Sequence, residues 1–299
     1  MNVAIPEAGL TGDNLLFIVG CPRSGTTWLQ RLLASHDLIK TGQESRIFEY
    51  IGSQFRNWQQ DINSPVYGRG GMGLACYLNE EEFVSIQKKY LSLLLGPMLQ
   101  DLQPGQIFLE KTPEHAQFVP EIVRLLPEAK IIHMVRDPRD VTASLLAASA
   151  SWGNRWAPRR ASQAIRLWWL NVNRVELAAL HVAPGKFLEV RYEDLHRDPS
   201  SILADIARFL KLPWTDLEIA TVVKANSAEE LRMGKGTPIP IHGEHGKHGQ
   251  QTVLDPENFV RKAQVGSWRR DLTWFQRLRV WQELRKIGPR WKRYANKLS

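Results

Sequence analysis

Two glycines, Gly20 and Gly25, enclose Cys21, Pro22, Arg23 and Ser24 and are followed by Thr26, Thr27 and Trp28. Glycine lets a chain turn tightly and come close to a ligand. A helix that starts directly after such a turn aims unpaired N–H groups and the positive end of its dipole at an anion. The chemistry this spacing suits is phosphate binding. A nucleotide-hydrolysing loop, GxxxxGK[ST], has the same glycine spacing but a lysine where Thr26 stands, and here Arg23 carries the charge instead. A phosphate is expected in this turn, but not a γ-phosphate. A P-loop kinase or NTPase, and a nucleotide-binding module without activity, stand as alternatives.

Other residues capable of chemistry fall at the ends of apolar runs. Glu44 and Arg46 are two apart in a segment expected to be extended, which places both side chains on one face. Lys111 follows the short run Ile107–Leu109, at the carboxyl end of an expected strand, where open α/β sheets bind ligands. Arg136 follows the run Lys130–Val135, and Ser144 falls two turns into a helix opened by Asp137 and Pro138. A fixed guanidinium is well suited to a phosphate. Asp137 also admits a reading as a metal-binding Walker B aspartate. Trp152, Trp156, Arg159 and Arg160 are candidate acceptor contacts, whereas Trp168 and Trp169, at helical spacing with Ile165, read as core. His242, His245 and His248 lie in a Gly- and Pro-rich stretch that reads as a flexible lid, with no cysteine or paired carboxylate to complete a metal site.

The elements that must position these groups alternate. Leu15–Val19 reads as a buried parallel strand, and Leu29, Leu32 and Leu33 continue at helical spacing to an end near Ser35 and His36. The stretch from Gly52 to Gly73 reads as a loop or broken helix, an acceptor-side lid or wall. Asn79 starts a helix to about Gln100. Further helices are expected to about His181, over Ser201–Leu210 and from about Thr215, with a strand at Phe187–Val190. This order predicts an α/β, doubly wound domain of P-loop type, a central parallel sheet flanked by helices. One domain is expected over residues 1–299, with a basic helical tail from about 271. That tail reads as a packed terminal helix, with adhesion to anionic lipid as the alternative.

Composition bounds the rest. The chain has 299 residues, 43% hydrophobic and 23% charged, with a net charge of +8. Such a chain is an ordinary globule that favours anionic ligands. The basic residues lie beside the phosphate loop and in the tail rather than in a recognised nucleic-acid module, so no nucleic acid is expected. Two cysteines, Cys21 and Cys76, make a disulfide framework unexpected and fit a reducing cytoplasm. No stretch approaches the length of a membrane span.

Several strings together resemble the sulfotransferases that use 3′-phosphoadenosine 5′-phosphosulfate, PAPS. PRSGTTW at Pro22–Trp28 looks like their 5′-phosphosulfate loop, and EKTP at 110–113 and YEDL at 192–195 look like family segments. FVRKAQVGSWRRDLT is similar to the cytosolic motif RKGxxGDWK, with Arg261, Lys262, Gly266, Trp268 and Arg269 in register. Ala263 and Ser267 depart from it. The resemblance implies a sulfuryl transfer from PAPS to a hydroxyl or, less favoured, an amine, releasing adenosine 3′,5′-bisphosphate and requiring no metal. It implies that Arg23, Ser24, Gly25, Thr26 and Thr27 cradle the donor, that Trp28 and Tyr192 flank adenine, and that Arg136, Ser144, Arg261 and Lys262 hold the 3′-phosphate. Lys111 and Arg23 would meet the sulfonate. Tyrosylprotein and heparan sulfate 3-O-sulfotransferases carry a catalytic glutamate about as far beyond the loop's basic residue as Glu44 stands beyond Arg23, which assigns Glu44 as base with Arg46 to orient it. The cytosolic branch instead has a histidine two residues after the lysine; Pro113 holds that position here, and the nearest histidine is His115. The acceptor would be a small molecule, glycan, lipid or peptide.

Overall fold

The structure, a computed structural model, describes residues 10–64, 73–241, 252–253, 255–256, 259 and 264–295. Strand β1, Leu15–Gly20, is buried along its whole length. It lies between β3, Ile107–Lys111, and β4, Lys130–Val135; β2, Ile39–Thr41, and β5, Phe187–Arg191, form the edges. The order is β2-β3-β1-β4-β5 and every pairing is parallel. Because the sheet is covered on both faces, its central strand β1 reads in sequence as an uninterrupted apolar run. Successive residues of β1 point to opposite faces. Leu15, Phe17 and Val19 meet Phe48, Ile51, Phe55 and Leu125; Leu16 and Ile18 meet Leu29, Leu32, Leu203 and Ile206.

The helices that supply those faces are α1, Thr26–Ala34; α2, Ile47–Asn63; α3, Glu80–Leu99; α4, Val119–Leu125; α5, Pro138–Ser149; α6, Ala161–Ala179; α7, Tyr192–Arg197; α8, Pro199–Leu210; α9, Asp216–Ala225; and α10, Ala228–Arg232. Asn79 closes a capping box on α3, as its position before three glutamates predicts. The chain leaves β1 toward β2 but leaves β4 toward β5. The crevice where these directions part lies at the carboxyl ends of β1 and β4, the place where open sheets take ligands. Register aligns Ile18 with Lys111, Gly20 with Met134, and Val135 with Arg191, so the glycine turn, Lys111, Arg136 and Tyr192 all emerge at one edge.

The stretch from Gly52 onward differs from expectation. It is not a loop or lid: through Asn63 it continues α2, and residues 65–72 lie outside the described residues. Ile47, Phe48, Ile51, Phe55 and Trp58 recur at helical spacing and are buried, and Trp58 stacks on Phe83 at 4.3 Å. Gly52 serves contact here rather than breakage, since a Cβ there would stand 2.2 Å from the Phe118 ring. At the other end of the chain, a helix over Trp274–Ile287 packs Val280 and Leu284 on Ala161 and Ile165 of α6. Tyr294 reaches Glu176 at 2.6 Å.

A buried carboxylate joins β3 to the turn before α2. Glu110 Oε1 accepts from Ser45 N (3.2 Å), Ser45 Oγ (2.8 Å) and Thr112 Oγ1 (2.7 Å), and Oε2 faces His115 Nδ1 at 2.8 Å, off the hydrogen-bond axis. Thr112 Oγ1 in turn accepts from Arg46 N at 3.2 Å. His115 is fully buried and its Nε2 accepts from Phe48 N at 3.2 Å, so this histidine ties α2 to β3 and presents neither nitrogen at the surface of the cleft. Burial alone would push the Glu110 carboxyl up, but the His115 imidazole and the two hydroxyls outweigh it and hold it down at about 2. A folded pKa below the ordinary 4.5 means stability that is present above pH 4.5 and lost as pH falls toward 2. Thermal and denaturant unfolding should therefore show His115→Ala and Glu110→Gln destabilised by about 3 kcal/mol, the cost of breaking a buried pair. The Glu110→Gln variant should also lack this group's share of the acid loss; unchanged midpoints would refute the role.

Candidate active site

The turn after β1 is shaped by what its glycines allow. A Cβ on Gly20 would stand 2.3 Å from the Met134 carbonyl. Gly25, at φ +97°, would put one 2.6 Å from the Tyr192 ring. Arg23 also adopts a left-handed conformation, φ 74°, which costs a non-glycine residue about 1–2 kcal/mol. No side chain caps α1, so its first amides, at Thr26 and Thr27, have no partner within it. Ser24 Oγ is buried and has no hydrogen-bond partner among the described residues. An orphaned hydroxyl beside uncapped amides at a helix N-terminus is a cradle that an anion completes.

Lys111 rises from β3 into this cradle. Its Nζ lies 3.3 Å from Thr27 Oγ1 and forms an ion pair with Glu44. The lysine side chain is 5% exposed and that of Glu44 is 44% exposed, so the carboxylate fronts the cleft while the ammonium is sunk beneath it. Arg46 does not orient Glu44. It precedes α2 in a left-handed conformation, φ 54°, so the segment is not extended at Arg46, and its guanidinium pairs with Glu49 at 2.5 Å although both Arg46 and Glu44 border the cleft. Lys111 takes the orienting role. Sequence reading missed Glu114, which lines the same cleft; burial, with the charges of Glu44 and Glu49 added, pushes its carboxyl above the usual range.

A second cationic group gathers on the other side of the turn. Arg23 Nε donates to Ser144 Oγ at 3.1 Å and Nη2 to the Phe259 carbonyl at 2.7 Å, with its guanidinium over the rings of Trp152 and Phe259. Arg136 lies 4.0 Å from the Tyr192 ring centre and donates to the carbonyls of Arg23 (3.3 Å) and Gln264 (3.0 Å). Trp28 meets Tyr192 edge to face and donates to the Asn226 carbonyl at 3.0 Å. Arg261 and Lys262 lie outside the described residues, as do His242, His245 and His248. The neighbouring stretch is held by a residue that sequence reading passed over: buried Asp140 accepts from Gly266 N at 2.7 Å and Trp268 N at 3.0 Å. The second aspartate of RDPRD was its only signal. Asp137 caps α5 and clamps Arg139, so its carboxylate is engaged within the protein.

These groups line one cleft of about 660 Å³. Arg23, Gly25, Thr26, Thr27, Trp28, Glu44, Arg136, Ser144 and Tyr192 all border it; Ser24 and Lys111 lie beneath its surface. Trp152 and Trp156 form an aromatic wall with Phe259, whereas Arg159 and Arg160 stand outside, on a shallow surface depression. Trp168 is core, as its spacing predicts, and its Nε1 supports the Arg136 carbonyl at 3.1 Å.

Among known proteins, protein-tyrosine sulfotransferase 1 of Danio rerio is 27% identical over 203 residues, covering 68% of this chain and 54% of that protein. An uncharacterized protein of Aquifex aeolicus is 24% identical over 242 residues, 73% of this chain and 29% of that protein. The chain thus spans about half or less of the length of these curated relatives. A mouse sulfotransferase solved in complex with PAP superposes with a TM-score of 0.58 at 17% identity, over 96% of this chain and 91% of that one. The sulfotransferase domain of the Synechococcus PCC 7002 olefin synthase gives 0.54 at 19%, over 95% and 97%. At these identities the likeness is one of fold. The sequence profile of the Sulfotransferase family matches residues 16–216, more than half of the chain, and this protein belongs to that family.

Proposed function

We propose that this protein transfers a sulfuryl group from PAPS to a hydroxyl acceptor. The observation that carries the reading is Lys111: a nearly buried ammonium between Thr27 of the anion cradle and the cleft-facing carboxylate of Glu44. The donor supplies the sulfuryl group, with adenosine 3′,5′-bisphosphate as the leaving group. In this reading Ser24, Thr26 and Thr27 hold the 5′-phosphosulfate, supported by the buried Ser24 hydroxyl and the uncapped start of α1. Arg136 and Arg23, with the Ser144 hydroxyl, form a group suited to a 3′-phosphate, so Arg23, hydrogen-bonded to Ser144, is assigned there rather than to the sulfonate, and Trp28 and Tyr192 flank the adenine. The mouse relative solved with PAP supports this choice of nucleotide.

In such a transfer the acceptor oxygen forms a bond to sulfur as the bond from sulfur to the 5′-phosphate oxygen breaks, and charge collects on the peripheral oxygens. Lys111 and the amides of the helix start are preorganised to stabilise that charge. Glu44 takes the acceptor's proton. In the resting site Lys111 neutralises Glu44; once an anion recruits the ammonium, the carboxylate is released to act as base. A kinase or NTPase reading lacks a lysine after Gly25. A binding module without activity has no use for a Glu44–Lys111 pair.

Glu44→Gln should lower turnover of labelled PAPS, assayed on a panel of phenols, glycans and lipids, by at least about 10²-fold while leaving nucleotide affinity nearly intact. Full turnover in that variant would remove Glu44 as base. Arg136→Ala should weaken adenosine 3′,5′-bisphosphate by about 2–3 kcal/mol and barely change adenosine 5′-phosphate. Equal losses for both nucleotides would place the 3′-phosphate elsewhere.

A further inference from the structure

The C-terminal helix Trp274–Ile287 has two apolar faces, and the protein covers one of them. Val280 and Leu284 are buried against α6. On an adjacent, solvent-facing flank Trp274, Leu278 and Trp281, spaced i, i+4 and i+7, form a column, with Phe275 beside it. Trp274 is 68% exposed, Phe275 74% and Trp281 51%. Single exposed apolar residues are ordinary, but three aromatic side chains on one side of one helix are a patch.

On this helix basic residues outnumber acidic ones around the patch. Arg277, Arg279, Arg285 and Lys286 lie on this helix against a single acid, Glu283, which turns inward to Arg166 and Lys286. Arg285 lies 4.6 Å from the Trp281 ring centre, and Arg279 donates to Gln282 at 3.1 Å; neither has an acidic partner among the described residues. Helical projection places Arg285 in the same column as Trp274, Leu278 and Trp281.

We propose that this face docks on an anionic lipid surface. Tryptophan and phenylalanine settle at the depth of the headgroups, and arginine stems lie along the apolar layer while their guanidinium groups reach lipid phosphates. A second copy of the chain suits the face poorly, because a two-fold contact would set Arg279 and Arg285 against their own counterparts. A nucleic acid would satisfy the arginines but leave Phe275 and Leu278 wet. No helix among the described residues is long and apolar enough to cross a membrane; the docking proposed is that of one helix face.

Co-sedimentation of the full chain with phosphatidylcholine vesicles, with and without phosphatidylserine, tests this. Binding is expected only, or far more strongly, with phosphatidylserine, to weaken as salt rises, and to fall at least about tenfold in Trp274→Ser/Phe275→Ser/Trp281→Ser and in Arg279→Glu/Arg285→Glu. Both variants should keep the parent's thermal midpoint and its affinity for adenosine 3′,5′-bisphosphate. Absence of sedimentation, or equal sedimentation of parent and variants, would overturn the proposal. So would a dimer in analytical ultracentrifugation that the serine variant abolishes, which would assign the face to a second copy, or salt-sensitive binding to duplex DNA without binding to vesicles.

Discussion

Three consecutive residues, the last two of β3 and Thr112 just past it, grip three consecutive residues of the turn before α2. Glu110 accepts from Ser45, Lys111 pairs with Glu44, and Thr112 accepts from the amide of Arg46. Neighbouring side chains on a strand point to opposite faces. Glu110 is therefore locked from the side of α2 and His115, while Lys111 reaches the turn from the side of α1. This double grip decides where the Glu44 carboxylate stands. It is also expensive to disturb, because Glu110 and His115 are both sealed from water and neither tolerates the loss of its partner. Gln30 of α1 adds a third tether through Thr41 and the Gly42 carbonyl, just upstream of the same turn.

The rest of the crevice follows from the register of a parallel sheet. Strands that enter on one side and end on the other bring their following residues to a common edge. The glycine turn, Lys111, Arg136 and Tyr192 meet although they are far apart in sequence. The chain's positive charge is thereby used in two ways. Part of it is drawn into the cleft, where Arg23 and Arg136 stand against aromatic rings and a serine hydroxyl. Another part rims the outward face of the last helix, where it is paired with exposed aromatic residues instead of acids.

What was legible in the sequence is what local pattern encodes. β1 is buried on both faces and appears as an unbroken apolar run, β4 as an apolar run interrupted by His133, and Asn79 announces α3 through its capping box. Gly25, Lys111 and Arg136 drew attention because they stand at or just past the ends of such elements, and Ser144 through the family resemblance. What escaped was decided by contacts distant in sequence. α2 looked like a loop because its polar residues and Gly52 outweigh its stripe until Phe83 and Phe118 are in place to receive it. Arg46 looked like a partner for Glu44 because an extended backbone was assumed, and its left-handed conformation turns it to Glu49 instead. Glu110 and Asp140 passed as ordinary acids, since nothing in a sequence separates a buried carboxylate from an exposed one until its donors are assembled around it.

The central claim is that the crevice is a site for a 3′-phosphorylated adenine nucleotide held by protein cations and amides. Calorimetric titration of the full chain with adenosine 3′,5′-bisphosphate and with ATP, both in EDTA, addresses it most directly. The account predicts that the bisphosphate binds without divalent metal and more tightly than ATP. Tighter binding of ATP, or binding of either nucleotide only after Mg²⁺ is restored, would contradict it.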